Sequence, residues 1–296
     1  MISLLLTASI AWLAAAPAPE PRSEVAAAVV RGEAVLVGGL TADGAPSSRI
    51  DAYSPAKDRW SRLPDLPVGV HHAMAASDGA RLYVVGGYGG RLGARDVLRT
   101  AFVLDGGTWH SLPRLPEPRA AGGAVLVGGH LYAVGGVGAT GLARRAFALD
   151  LGARRWRAIP APARREHLAV TASGGKIYAL GGRTHGYDTN VATFEVWAPG
   201  AKRWRRLPPV PGRRGGTGAA AVAGSIVSIG GEAPPGTIAS VYAYNLTSGR
   251  WRRLPDLPTP RHGLGVVALG TRVYAIAGGP SPGLTVSSSN EYLDLR

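Results

Sequence analysis

The apolar positions of this chain fall into short unbroken runs, and six of them close on glycine: EAVLVGG, RLYVVGG, HLYAVGG, KIYALGG, SIVSIGG and RVYAIAGG. A continuous apolar run of this length, as in ARLYVVGG, predicts a strand covered on both faces. The glycine pair ends each one because the backbone must turn there in a way that a side chain obstructs. Ahead of the first run stands SEVAAAVV, small and apolar beyond Glu24, which predicts a strand in a crowded interior. After the glycine pairs come RIDAYSP, TAFVLD, RAFALD, TFEVWAP and SVYAYN. In AFVLD the residues Phe102 and Leu104 share one side, the alternation of a partly covered strand. A tryptophan then opens a fourth segment, followed by prolines as in WSRLPDLP and WRRLPDLPTPR. Proline cannot donate to a ladder, so this segment predicts an outer, edge strand.

These landmarks keep register. The glycines Gly38, Gly86, Gly135, Gly181, Gly230 and Gly278 are 46 to 49 residues apart. Trp60, Trp109, Trp156, Trp204 and Trp251 are 47 to 49 apart, and each trails its glycine by 21 to 23. Two independent series in step over five repeats define a repeat architecture. Over nearly the whole chain the pattern resembles the kelch-repeat family. That resemblance implies an all-β, six-bladed kelch-type β-propeller of four-stranded antiparallel blades. Residues 22–296 form the propeller on this reading, and residues 1–21 an N-terminal segment.

The sixth repeat ends after its third strand, NEYLDLR, and so lacks a fourth. Trp12 supplies the missing landmark: it lies 48 residues before Trp60 and ten before Arg22, as Trp109 does before Arg119. We therefore expect the N-terminal segment to close the ring as the outer strand of the last blade. The same stretch, ISLLLTASIAWLAAAPA, also reads as the apolar core and small-residue end of an export signal. It is short for a membrane span. Both readings of residues 1–21 stand, and an extracytoplasmic or secreted location is expected, with cytoplasmic the alternative.

Composition changes the picture little. With 46% hydrophobic residues, 43 glycines and 23 prolines, the chain suits many short strands and tight turns around a real core. It has no cysteine, which excludes disulfides, thiolate ligands and cysteine nucleophiles. The net charge of +14 is carried by arginine, with lysine only at positions 57, 176 and 202. Arginines crowd the outer strands around Trp156 and Trp204, where charge discourages edge-to-edge pairing. No single basic stripe with interleaved aromatics appears, so nucleic acid is not an expected partner.

No phosphate-binding loop, nucleophile elbow or zinc-protease motif is present. GGYGG at 86–90 is a loop after a strand with no helix behind it. No cofactor and no metal site are expected. The recurring polar positions lie 16 residues before the glycine landmark: Arg22, Val70, Arg119, Arg165 and Arg214, with Arg261 joining if Ala277 takes the glycine's place. Beside them stand Glu24, His71, His72, His167 and His262. The loops after the glycine pairs add Arg183, His185, Tyr187 and Glu232. In kelch propellers this end of the channel is the usual ligand face. The arginines read as a cationic funnel for an anionic ligand, against the alternative that each one braces its own blade.

The resemblance implies a non-catalytic binding propeller, monomeric, recognising a protein, peptide or acidic glycan. The alternative is a sugar-active enzyme. GGEAPPG around Glu232 resembles the stretch carrying the catalytic glutamate of sialic-acid mutarotases, but Ile238 stands where their partnering arginine belongs. Galactose-oxidase-type chemistry needs a cysteine that this chain lacks.

Overall fold

The computed structural model describes residues 10–93 and 96–296. Among the described residues, six four-stranded antiparallel sheets form the blades, two small hairpins (Val137–Gly138 with Gly141–Leu142, Glu232–Ala233 with Gly236–Thr237) stand in the loops of the third and fifth, and three-residue Tyr187–Thr189 is the sole helical turn. The first blade shows the plan. Ala26–Val30 lies innermost, followed by Glu33–Val37, Ile50–Ser54 and Arg59–Leu63, each paired with the next. The second strand of every blade is the apolar run, interrupted by Ser228 in the fifth, and its core positions are buried. Innermost strands are built from Ala, Gly and Val because six of them crowd around one axis. A side chain at Gly218, for instance, would collide with Val266 of the next blade.

Six apolar clusters fill the structure, one between each pair of neighbouring blades. Each tryptophan sits at the outer end of such an interface, and its indole N–H reaches back to a carbonyl of the preceding blade. Trp109 donates to Pro64, Trp156 to Pro113, Trp204 to Pro160 and Trp251 to Pro208, at 2.7 to 2.9 Å. This explains the strict spacing of the series: the ring fills the widening gap while its polar edge is satisfied.

Closure follows the same rule. Trp12–Ala14 pairs antiparallel with Asn290–Asp294, with Trp12 opposite Leu293 and Leu13 opposite Tyr292. Trp12 Nε1 donates to Pro255 O at 2.9 Å, and Trp60 Nε1 donates to Ala16 O at 2.8 Å. The N-terminal strand thus belongs to the sixth blade and is gripped by the first. Asp58 adds a clasp, accepting from the Ala16 amide at 2.8 Å and from the Tyr53 hydroxyl at 2.7 Å. Among the described residues, no helix is long and apolar enough to cross a membrane.

Candidate functional site

The loops after the glycine pairs and the entries to the innermost strands lie at the same end of the propeller, around one mouth of the channel. Entry to each blade passes through one residue in the left-handed region. Glu24, His72, Ala121, His167, Gly216 and Gly263 have φ between 51° and 65°. Their main chains join blade to blade: the amides of His72, Ala121, His167, Gly216 and Gly263 each donate to the preceding member at 2.8 to 2.9 Å. The amide of Val25 closes the circle on Gly263 O at 3.2 Å. Left-handed backbone is costly for residues with a Cβ. Glutamate, histidine and alanine adopt it here because the circle of hydrogen bonds over-determines it.

The five arginines do not line this mouth, which corrects the funnel expected from their spacing. Arg22, Arg119, Arg165, Arg214 and Arg261 are at most 1% exposed. Each one staples two blades. Its own carbonyl accepts from the second glycine of the preceding blade, as Gly182 N donates to Arg214 O at 2.7 Å. Its guanidinium lies within its own blade. Arg165 donates to the carbonyls of Gly181, Ala163 and Ala179 at 2.7, 2.7 and 3.1 Å and to Glu195 Oε2 at 2.6 Å. Arg261 repeats the pattern with Ala277, Thr259, Ala275 and Glu291. Arg22 pairs with Asp51 at 2.5 Å.

The partner of each arginine comes from one repeat position, the second residue of the third strand. Where that position is aromatic, the guanidinium packs over the ring. Arg119 lies 5.3 Å from the Phe147 centroid and Arg214 5.3 Å from that of Tyr242. Without a carboxylate, burial pushes the Arg214 guanidinium down to about 10. The staple also explains the first glycine of each pair. A Cβ at Gly181 would stand 2.7 Å from Arg214 O at φ +61°, and at the equivalent point of the last blade Ala277 accepts φ +56°.

What the structure does bring together at the mouth is Glu24, His71, His72, His167, Arg183, Glu232 and His262. His72 Nε2 lies 3.0 Å from His167 Nε2 and 3.2 Å from Glu24 Oε2. Nδ1 of His72 faces Nδ1 of His71 at 2.5 Å, and His71 Nε2 lies 3.1 Å from Gly90 O. His262 Nδ1 sits 3.2 Å from Glu24 Oε1 and 3.7 Å from Glu232 Oε2. Arg183 joins Glu232 at 2.5 Å and Glu166 at 3.4 Å. His185 and Tyr187 stay outside this cluster, exposed on the loop of the fourth blade.

Electrostatically the mouth is self-paired. Burial works to raise the Glu24 carboxyl, but His72, the His262 hydrogen bond and His167 outweigh it and hold it well below the usual carboxylate range. Burial, reinforced by His167, His71 and Arg183, holds His72 well below the ordinary histidine value against the pull of Glu24. Burial also works to lower His262, yet Glu24 and Glu232 raise it overall. Burial would raise Glu166, but His167 and Arg183 lower it. Among the described residues, Glu24 Oε2, His72 Nε2 and His167 Nε2 form a group that could hold a metal ion, all within 4.8 Å of one another. Ala121, Gly216 and Gly263 occupy the remaining positions of the circle and leave the channel beside them open.

The blade plan and the repeated staples have their counterpart among known proteins. A family model described as the KLHDC2/KLHL20/DRC7 kelch-repeats domain matches residues 26–209, and a kelch motif model matches residues 213–258. The chain belongs to the kelch-repeat family. It is 29% identical to Kelch-like protein terF of Aspergillus terreus over 75% of this chain and 52% of that protein. It is also 29% identical to Kelch-like protein 35 of Mus musculus, over 62% of this chain and 23% of that protein. With Kelch repeat protein M-T8 of Myxoma virus the identity is 33%, over 34% of this chain and 20% of that protein. The chain thus spans about half the length of the first of these curated relatives and about a quarter or less of the other two.

Two features of the structure escaped sequence reasoning. The carboxylates that hold the arginines, Asp51, Glu195 and Glu291, recur 29 or 30 residues after them, a spacing the repeats themselves display. The exposed leucines Leu92 and Leu284 carry no such signal, because loop length and sequence differ in every blade.

Proposed function

We propose that this chain is a non-catalytic binding propeller that recognises a protein or peptide partner through the loops following its glycine pairs. One observation carries the reading. Five large apolar side chains stand exposed among the described residues, and three of them, Leu92, Tyr187 and Leu284, are on these loops. The other two, Ile10 and Leu13, belong to the closing segment. Leu92 and Leu284 approach one another over Gly44 of the first blade, whose carbonyl also accepts from the Leu92 amide at 2.9 Å. Three blades thereby present one apolar patch next to a charged mouth whose members are already paired. An apolar anchor site bordered by polar groups is the anatomy of a protein-binding surface. An acidic glycan is supported less, because the arginines that were to receive it are buried.

The test uses Leu92→Asp with Leu284→Asp, and separately Tyr187→Ala, against Lys176→Glu on the opposite face. Partners captured by the full chain are identified by mass spectrometry, and their affinities measured by calorimetry. Loss of binding in the loop variants, at unchanged melting temperature and with Lys176→Glu unaffected, is the expected result. Binding that survives both loop variants, or that Lys176→Glu removes, refutes the placement. A glycan array run in parallel reads out the alternative ligand class.

A further inference from the structure

The three groups that converge at the channel mouth have the chemistry and spacing of a metal site. We propose that Glu24, His72 and His167 bind one divalent transition-metal ion of the zinc class, with the remaining coordination positions open to the channel.

Geometry is the first argument. The three ligating atoms are separated by 3.0 Å (His72 to His167), 3.2 Å (His72 to Glu24) and 4.0 Å (His167 to Glu24). A point about 2.0 Å from all three lies within that triangle, and zinc takes imidazole nitrogen and carboxylate oxygen at about 2.0–2.2 Å. Two imidazoles and a carboxylate suit zinc, iron(II), cobalt(II) and nickel(II), and disfavour magnesium or calcium, which prefer oxygen.

The second argument is the orientation of each ligand by a neighbour. His71 Nε2 donates to Gly90 O at 3.1 Å, which leaves Nδ1 of the neutral ring as an acceptor. His72 then donates to it through Nδ1, at 2.5 Å, and its Nε2 is the accepting atom of the pair it forms with His167 Nε2 at 3.0 Å. The same lone pair faces Glu24 Oε2 at 3.2 Å, and a metal ion taking the place of the His167 proton would be shared by all three atoms. Glu24 is held through its other oxygen by His262 at 3.2 Å, and His262 Nε2 in turn donates to Ser281 O at 3.0 Å. His167 Nδ1, buried and without a hydrogen bond, lies 3.6 Å from Glu166 Oε1 and turns its Nε2 toward the site. A residue behind a ligand, as His71 stands behind His72 and His262 behind Glu24, is the usual support of a metal centre.

The third argument is room and charge. Ala121, Gly216 and Gly263 complete the circle with no polar side chain, so the protein offers three ligands and the channel supplies the rest. Three ligands with an open position distinguish a site that takes water or a ligand's donor atom from a closed structural one. Glu24, Glu166 and Glu232 surround the position with carboxylate charge, and Arg183 is committed to Glu232 and Glu166.

The experiment uses the full chain without a purification tag, dialysed against chelator. Zinc binding is followed by calorimetry, and cobalt(II) binding by its visible absorption. One equivalent of each metal, competing for the same site, is expected, with no uptake of magnesium. Glu24→Gln and His167→Asn should abolish the equivalent. His71→Ala, which touches no metal, should weaken binding about 10–100-fold by releasing His72. Melting temperatures of the metal-free variants confirm that each is folded. If a variant fails to fold, the wild-type cobalt spectrum still decides the question. Absence of cobalt bands at one equivalent, or folded Glu24→Gln and His167→Asn proteins that bind as the wild type does, overturns the proposal.

Discussion

Replacing Arg165 by methionine tests the staple directly. The guanidinium is 1% exposed and satisfies Glu195 and the carbonyls of Gly181, Ala179 and Ala163. Methionine fills much of the volume but donates nothing, leaving a carboxylate at 5% exposure with the Ala163 amide, at 3.2 Å, as its remaining donor. Removing one partner of a buried ion pair costs about 3–5 kcal/mol, because the other charge loses its compensation. That is a large part of the roughly 5–15 kcal/mol that holds a typical domain together. Replacing Glu195 by methionine as well removes the orphaned charge and should restore about 1–3 kcal/mol. Recovery will be incomplete, since the carbonyls of Gly181 and Ala179 still lack a donor. Arg165→Lys keeps the charge but not the fork, and should fall between wild type and Arg165→Met. Urea unfolding followed by tryptophan fluorescence, compared at constant slope, reads these differences as midpoint shifts. A loss under about 1 kcal/mol in Arg165→Met, or a double variant less stable than the single one, refutes the brace and returns the arginines to the ligand face.

Two further outcomes concern closure. Trp12→Ala removes the bond to Pro255 and the ring that packs on the last interface, and should cost about 1–3 kcal/mol by the same unfolding assay; an unchanged midpoint would show the segment to be ornamental. Asp58, whose acid constant is lowered first by the Ala16 amide and then by the Tyr53 hydroxyl, contributes stability that is complete above the ordinary value of 3.8 and lost as pH falls through its lower folded value. Wild type should therefore lead Asp58→Ala in melting temperature at neutral pH and lose that lead only in strong acid; a gap that persists there contradicts the clasp.

The fold was legible because propeller blades repeat their physics at a fixed interval. The glycine that admits a neighbour's carbonyl and the tryptophan that bridges two blades each leave one mark per repeat. Trp12 could be placed for the same reason, although nothing near it resembles a complete blade. Arginine direction was not legible. A residue recurring at the start of the innermost strand lies equally near the channel and the blade interface, and spacing does not distinguish them. Its partner does: Asp51, Phe147, Glu195, Tyr242 and Glu291 occupy one position, and each has the acid or the ring that a buried guanidinium needs. The Glu24–His72–His167 convergence lay further out of reach. It joins blades one, two and four across the axis, and only the left-handed entry residues, invisible in composition, turn those side chains inward.

The circle of main-chain bonds around the channel gives the molecule no first or last blade. In a linear array of repeats, each unit has an outer neighbour that can be lost, and such arrays melt from their ends inward. Here the strand from one terminus sits in the sixth blade while the first blade holds its carbonyl, so every unit has two neighbours and none is terminal. Loss of one blade strips an interface from both sides, and the remaining five have no shorter closed form to fall back on. Partial loosening is thus denied a starting place, and the propeller is expected to melt as one cooperative body.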